Sequence, residues 1–176
     1  WSTPMINGVS AWDQSAFLRV NRLQHNSHLI LTFRILSHSG DGYLYVLLGI
    51  SLYLFESADS VQFLKSALLA FALEIPCFLA LKALIKRERP CEHLAGCSFA
   101  VTPSDKFSMP SGHTAAAFLM SSLIAGFYPA FTVLAYIWAS LIGASRVFLG
   151  VHYPTDVVAG AALGWSCAAL SVSLLS

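Results

Sequence analysis

An all-α integral membrane bundle is the fold the sequence predicts, and three observations predict it. Apolar residues make up 56% of the 176 and charged residues only 11%, with a mean hydropathy of +0.66. Soluble domains carry about 25% charged residues to coat a water-facing surface. The apolar residues fall in long runs with short polar interruptions, and prolines mark several run ends. The expectation is one domain over residues 1–176, with interfacial helices over 1–40 and a core of five or six spans over 41–176.

The elements follow in order. Residues 11–39 mix Phe17, Leu18, Leu23 and Leu29 with Arg19, Arg22, Arg34 and three histidines, which reads as one or two amphipathic helices at the membrane surface. The histidines of this stretch, His25, His28 and His38, are expected at the interface. Ser39-Gly40-Asp41-Gly42 is a turn signal. Tyr43–Phe55 is a short first span, broken at Glu56–Ser60. Phe63 to about Ile85 is a second span, uncharged but for Lys65, Glu74 and Lys82. A polar loop over Lys86–Met109 holds Arg87, Lys106 and His93, which read as solvated. Pro110-Ser111-Gly112 opens a third span running to about Tyr128. Pro129 turns the chain into a fourth, to about Leu149. Pro154 opens a fifth, in which Gly160 and Gly164 let a neighbouring helix approach closely.

Three polar clusters stand at span ends, where such residues are costly and point to function. They are Lys82 with Arg89-Pro90, Pro110-Ser111-Gly112-His113, and Ser145-Arg146 with His152 and Asp156. Alternation of the spans puts all three on one side of the membrane. Taken singly, each has a bland account: a snorkelling lysine, an ordinary loop or helix start, a structural His–Asp pair. Together they need a common one.

Lys82, Arg89 and Arg146 are three cations with no evident partner beyond Asp156, a set suited to an anion with several oxygens. Ser111 and Gly112 lie at a helix start, whose free N–H groups and positive end favour the same anion. A phosphoryl group fits better than a carboxylate. Asp156 follows His152 by four residues, near enough to hold one ring nitrogen and leave the other as nucleophile or base. His113 is then placed to protonate a leaving alkoxide. No Asp/Glu-rich cluster of the kind magnesium prefers lies nearby, so neither metal nor cofactor is expected. A net charge of +1 gives no footing for nucleic acid. The expected partners are a lipid phosphate and the surrounding membrane lipids. The oligomeric state is not legible.

Lys82-x6-Arg89-Pro90, Pro110-Ser111-Gly112-His113 and Ser145-Arg146-x5-His152-x3-Asp156 resemble, in full and in order, the three-part signature of the lipid phosphate phosphatases, also called type 2 phosphatidic acid phosphatases. The likeness covers Lys82 to Asp156 and includes bacterial phosphatidylglycerophosphate and undecaprenyl pyrophosphate phosphatases. It implies a phosphohistidine on His152, oriented by Asp156, with His113 as acid. It also implies phosphate binding by Lys82, Arg89, Ser111, Gly112 and Arg146, metal independence, and a site facing away from the cytoplasm. The alternatives are a phosphotransferase using the same site and a non-catalytic lipid-phosphate binding or translocating protein.

Sidedness carries a conflict. Arg19, Arg22, Arg34, Lys86, Arg87 and Lys106 fall on the site's face against Lys65 opposite, which by the positive-inside rule puts the site in the cytoplasm. The resemblance favours the periplasm or the outside of a bacterial inner membrane, and that is the expectation kept. Cys91 and Cys97 share one polar loop and are either free thiols or a disulfide. Glu74, deep in the second span, is neutral, bonded to another span, or turned toward substrate. No basic-then-apolar leader is visible in the first residues, so targeting is expected from the internal spans.

Overall fold

In the computed structural model, residues 4–55, 59–94, 96–103 and 105–176 are described. They form helices α1 (Pro4–Asn21), α2 (Ser27–His38), α3 (Gly42–Phe55), α4 (Ser60–Ile85), α5 (Pro90–His93), α6 (Gly112–Phe127), α7 (Thr132–Phe148) and α8 (Pro154–Leu175), with 3-10 turns at Arg22–His25 and Pro129–Phe131. No strand occurs among the described residues. Of the expected break at Glu56–Ser60, residues 56–58 lie outside them; Asp59 stands at the N-cap position of α4 without a side-chain capping bond.

Three helical runs are long and apolar enough to cross a membrane: those of α4, α7 with its 3-10 turn, and α8. The other two expected spans, α3 and α6, have 14 and 16 residues. At 1.5 Å per residue they rise about 21 and 24 Å, short of a hydrocarbon core of about 30 Å. All five helices begin and end within a few residues of the sequence expectation.

α6 is the central helix, with Ala115, Ala117, Leu119, Met120 and Leu123 all buried. It packs against α4, α7 and α8. The contact with α8 is close because Gly160 and Gly164 lack side chains: a Cβ on Gly164 would lie 2.0 Å from the Ala115 carbonyl oxygen, and one on Gly160 2.4 Å from that of Ser111. Around this centre a core forms from Tyr45, Phe63, Ala70, Leu119, Met120, Leu123, Cys167 and Ala168. Large apolar residues point outward instead, among them Leu68, Leu84, Val133 and Val158. An exposed apolar belt on this scale is what a lipid-facing surface needs.

The N-terminal helices are built into the bundle. α1 packs on α7 and α8, and α2 on α7. Phe17 of α1 is fully buried, edge-on to Tyr153 at 5.6 Å. The ring of Phe33 in α2 stacks on Phe148 at 4.1 Å. α2 keeps an amphipathic pattern, with Leu29, Leu31 and Ile35 exposed.

Candidate active site

The three sequence clusters meet at one end of the bundle. α4 ends where Lys86 takes a left-handed conformation and its N–H returns to the Lys82 carbonyl. The following residues run extended to Arg89, and Pro90 starts α5 from its first position, where its missing N–H costs nothing. α7 ends at Phe148, and Gly150, at φ +88°, bends the chain back toward α8. A Cβ there would lie 2.7 Å from the Ser98 carbonyl, so the turn needs glycine on two counts. Tyr153 caps α8: its N–H donates to Asp156 Oδ2 at 2.8 Å, and Pro154 follows. Backbone bonds stitch these ends together, Ser111 N–H to the Asp156 carbonyl at 3.0 Å and Ser108 N–H to the Arg87 carbonyl at 2.8 Å.

His152 is buried, and its Nδ1 donates to the Ser108 carbonyl at 2.6 Å. Asp156 Oδ2 stands 3.8 Å from the same nitrogen. The expectation that the carboxylate itself holds the ring is thus corrected in detail: the loop carbonyl takes the hydrogen bond, because Asp156 is engaged by Tyr153 and by Arg87 at 2.7 Å. Nε2 makes no hydrogen bond among the described residues and keeps its lone pair. Burial depresses the basicity of His152 to about 4, against the opposing pull of Asp156.

The cations have more partners than the sequence indicated. Lys82 is buried, with its ammonium paired to Asp105 and 4.6 Å above the Phe78 ring. Arg89, 1% exposed, reaches the other Asp105 oxygen at 2.6 Å and the Val151 carbonyl at 2.6 Å. Asp105 therefore bridges two of the three cations expected to be unpaired. Burial alone would raise its pKa, but Lys82 and Arg89 hold it below the usual carboxylate range. Arg146 is also buried. It donates to Ser37 Oγ at 2.5 Å, and its Nε is an orphan donor. Among the described residues no three His, Cys, Asp or Glu side chains converge as metal ligands.

His113, in the first turn of α6, meets Asp41 through Nε2 at 3.0 Å, and His38 Nδ1 meets the other Asp41 oxygen at 3.0 Å. Burial tends to raise Asp41's pKa, yet the two histidines hold it low. Ser111 caps α6 without a side-chain bond to its N–H groups, since its hydroxyl pairs with Thr114 at 2.9 Å. Its own N–H is taken by Asp156, a departure from the expectation that it is free for an anion. Gly112 lies against Phe78, whose ring a Cβ would meet at 3.0 Å.

The reading of Arg87 as a solvated loop cation is corrected. It bridges Asp13 at 2.5 Å and Asp156 at 2.7 Å, donates to Thr155 at 2.6 Å, and lies 4.1 Å over the Tyr153 ring. Burial lowers its basicity, but the Asp156 charge and Asp13 more than restore it. Asp13, Ser37 and Asp41 come from the N-terminal segment, and Asp105 and Ser108 from the loop. Each is a common residue type without motif spacing, so sequence had no signal for them. Cys91 and Cys97 are free thiols, with Cys97 donating to the Leu94 carbonyl at 3.4 Å.

Residues 63–176 match the profile of the PAP2 superfamily. Decaprenylphosphoryl-5-phosphoribose phosphatase of Mycobacterium tuberculosis is 38% identical over 94 residues, 51% of this chain and 49% of that protein. Lipid A 1-phosphatase of Rhizobium etli is 35% identical over 88 residues, 48% of this chain and 38% of that one. The chain thus spans about half the length of these curated relatives, or less. Among solved structures, Aquifex aeolicus LpxE superposes with a TM-score of 0.81 at 29% identity, covering 90% of this chain and 93% of that one. The first transmembrane PAP2-type phosphatidylglycerolphosphate phosphatase from Bacillus subtilis gives 0.76 at 26%, covering 96% and 86%.

Proposed function

Because the chain belongs to the PAP2 superfamily, we propose that it is a membrane enzyme that hydrolyses a lipid phosphate or pyrophosphate. His152 Nε2 attacks phosphorus, and the bond from phosphorus to the leaving oxygen breaks as His113 protonates that oxygen. Water then attacks the phosphohistidine, His113 takes its proton, and inorganic phosphate leaves. Asp156, within 3.8 Å of His152 Nδ1, stabilises the charge that forms on the ring. Lys82, Arg89 and Arg146, with the Gly112 N–H and the Ser111 hydroxyl at the start of α6, bind the phosphoryl oxygens. No metal takes part in these steps.

One observation carries this reading: a buried neutral histidine with a free Nε2 shares one bundle end with two buried arginines and a buried lysine. Asp105 offsets one of these three charges, and the remainder calls for an anionic ligand. The site's place at the ends of apolar helices puts that anion at headgroup depth, which favours a lipid. The relatives' substrates, a polyprenyl-linked sugar phosphate, lipid A 1-phosphate and phosphatidylglycerolphosphate, are all of this class. Undecaprenyl pyrophosphate, phosphatidylglycerophosphate and phosphatidate are the leading candidates here. The site faces the periplasm or the outside of a bacterial inner membrane.

The test is phosphate release by the purified protein from a panel of lipid phosphates in excess chelator, beside His152→Ala. Release that survives chelation and vanishes in the variant is the expected result. Loss on chelation, or release by the variant, overturns the mechanism. Phosphate transferred to an acceptor lipid rather than water would make the protein a phosphotransferase.

A further inference from the structure

A cleft of about 620 Å³ lies between α3, α4 and α6, walled by Tyr45, Val46, Ile50, Glu74, Phe78 and Gly112 among others. It reaches the candidate active site at Gly112, the one site residue among those that line it. Phe78 closes it there, with the Lys82 ammonium on its ring and Gly112 against its edge. Its outer rim is formed by residues that face lipid, Val46 and Ile50 of α3 and Ile75 and Leu79 of α4. A chain attached to a phosphate at Lys82 would therefore run down an apolar groove open to the bilayer.

Two polar groups interrupt this groove. Glu74 is 5% exposed and has no hydrogen-bond or ion-pair partner among the described residues. Tyr45 is 6% exposed, and its hydroxyl is buried without a partner. They come from different helices and both line the cleft. Unmatched polar groups at this depth carry a desolvation cost that a ligand group can relieve. Glu74 precedes Lys82 by eight residues on one helix, about 12 Å along its axis.

We infer that Glu74 and Tyr45 form a second recognition point, selecting a lipid phosphate whose chain bears a hydroxyl or carbonyl group about 12 Å below the phosphorus. This rests on the phosphatase reading above. A plain hydrocarbon chain fills the groove and leaves both groups unsatisfied. A chain with a hydroxyl at that depth satisfies them and gains accordingly. The preference arises in the groove, so it is independent of the phosphoryl chemistry.

The test compares KM for octyl phosphate, ω-hydroxyoctyl phosphate and phenyl phosphate, in wild type and in Glu74→Leu, Tyr45→Phe and Val46→Trp. Losing two neutral hydrogen bonds corresponds to roughly tenfold in KM. Relative to octyl phosphate, ω-hydroxyoctyl phosphate is therefore expected to lose about tenfold in Glu74→Leu and a smaller factor in Tyr45→Phe. Val46→Trp, at a lipid-facing rim position, raises KM for both alkyl phosphates and leaves phenyl phosphate unchanged. An unchanged hydroxyl-to-plain ratio in Glu74→Leu and Tyr45→Phe overturns the inference and leaves a crevice filled by bulk lipid. If wild type releases phosphate from the lipid panel but from none of these three compounds, this inference falls alone; if it releases phosphate from neither, the phosphatase reading falls with it.

Discussion

His152 gives its Nδ1 proton to the carbonyl of Ser108 at 2.6 Å, while the Asp156 carboxylate waits 3.8 Å away. The carbonyl can only accept, so the neutral ring carries its proton on Nδ1 and its lone pair on Nε2. Orientation and charge stabilisation are thereby divided between two residues. The loop fixes the tautomer, and in the proposed mechanism the carboxylate acts once the ring becomes positive.

That division predicts the behaviour of Asp156→Asn. The ring stays oriented, so vanadate inhibition is retained within a few fold. Turnover falls by about 10²–10⁴, because the imidazolium loses its counter-charge. Steady-state rates and vanadate inhibition constants on the same preparation check it. Parallel loss of both would mean that Asp156, rather than Ser108, holds the ring.

Burial sets how stability responds to acid. His152 titrates near 6.5 in the unfolded chain and at about 4 in the fold, so the unfolded state binds the extra proton between those values. Stability is therefore full above pH 6.5 and declines as pH falls toward 4, by about 1.4 kcal/mol per pH unit from this one group. Thermal unfolding in detergent from pH 7 to 4.5 should show the decline. His152→Asn, which cannot titrate, should make it shallower by this group's share.

The helices and the three clusters that meet at one bundle end were legible in the sequence for a physical reason. A span must be apolar over its whole length, and a charged residue at its end stands out against that background, as Lys82 and Arg146 do. The partners were hidden because they lie where polar residues are ordinary. Asp13 and Asp41 belong to an amphipathic segment and a turn, and Asp105 to a charged loop; only the folded chain brings them to Arg87, His113 and Lys82. Gly160 and Gly164 were legible as a close-approach pair, and α6 is what approaches. Gly164→Leu should accordingly separate α8 from α6, lowering both the unfolding temperature and turnover.

Arg87 ties the N-terminal helix to the site by bridging Asp13 and Asp156, both fully buried. Removing it strands two carboxylates out of water. Arg87→Ala is expected to cost about 3 kcal/mol or more of stability, and Arg87→Lys to recover only part, since one ammonium cannot span both acids in fork geometry. Chemical denaturation in mild detergent measures this. A loss under 1 kcal/mol for the alanine variant would mean that the bridge is solvated.

Asp105 occupies two of the cations to which the proposed function gives the phosphoryl oxygens. Its carboxylate pairs with Lys82 and Arg89 and is held ionised by them, so it competes with an anion throughout the neutral range. It is also partly exposed and carried by a loop, so water screens the pairing and the carboxylate can swing out. The carboxylate is exposed although its partners are buried, so the exposed-pair range of about 0.2–1 kcal/mol is a lower bound, a factor of roughly two to five in binding. Asp105→Asn should therefore tighten vanadate and inorganic phosphate inhibition by at least that factor, with the effect shrinking at high salt. Inhibition constants for both anions at low and high ionic strength read it directly. If the variant bound them more weakly, Asp105 would be a support that holds Lys82 and Arg89 in position, and not a competitor for them.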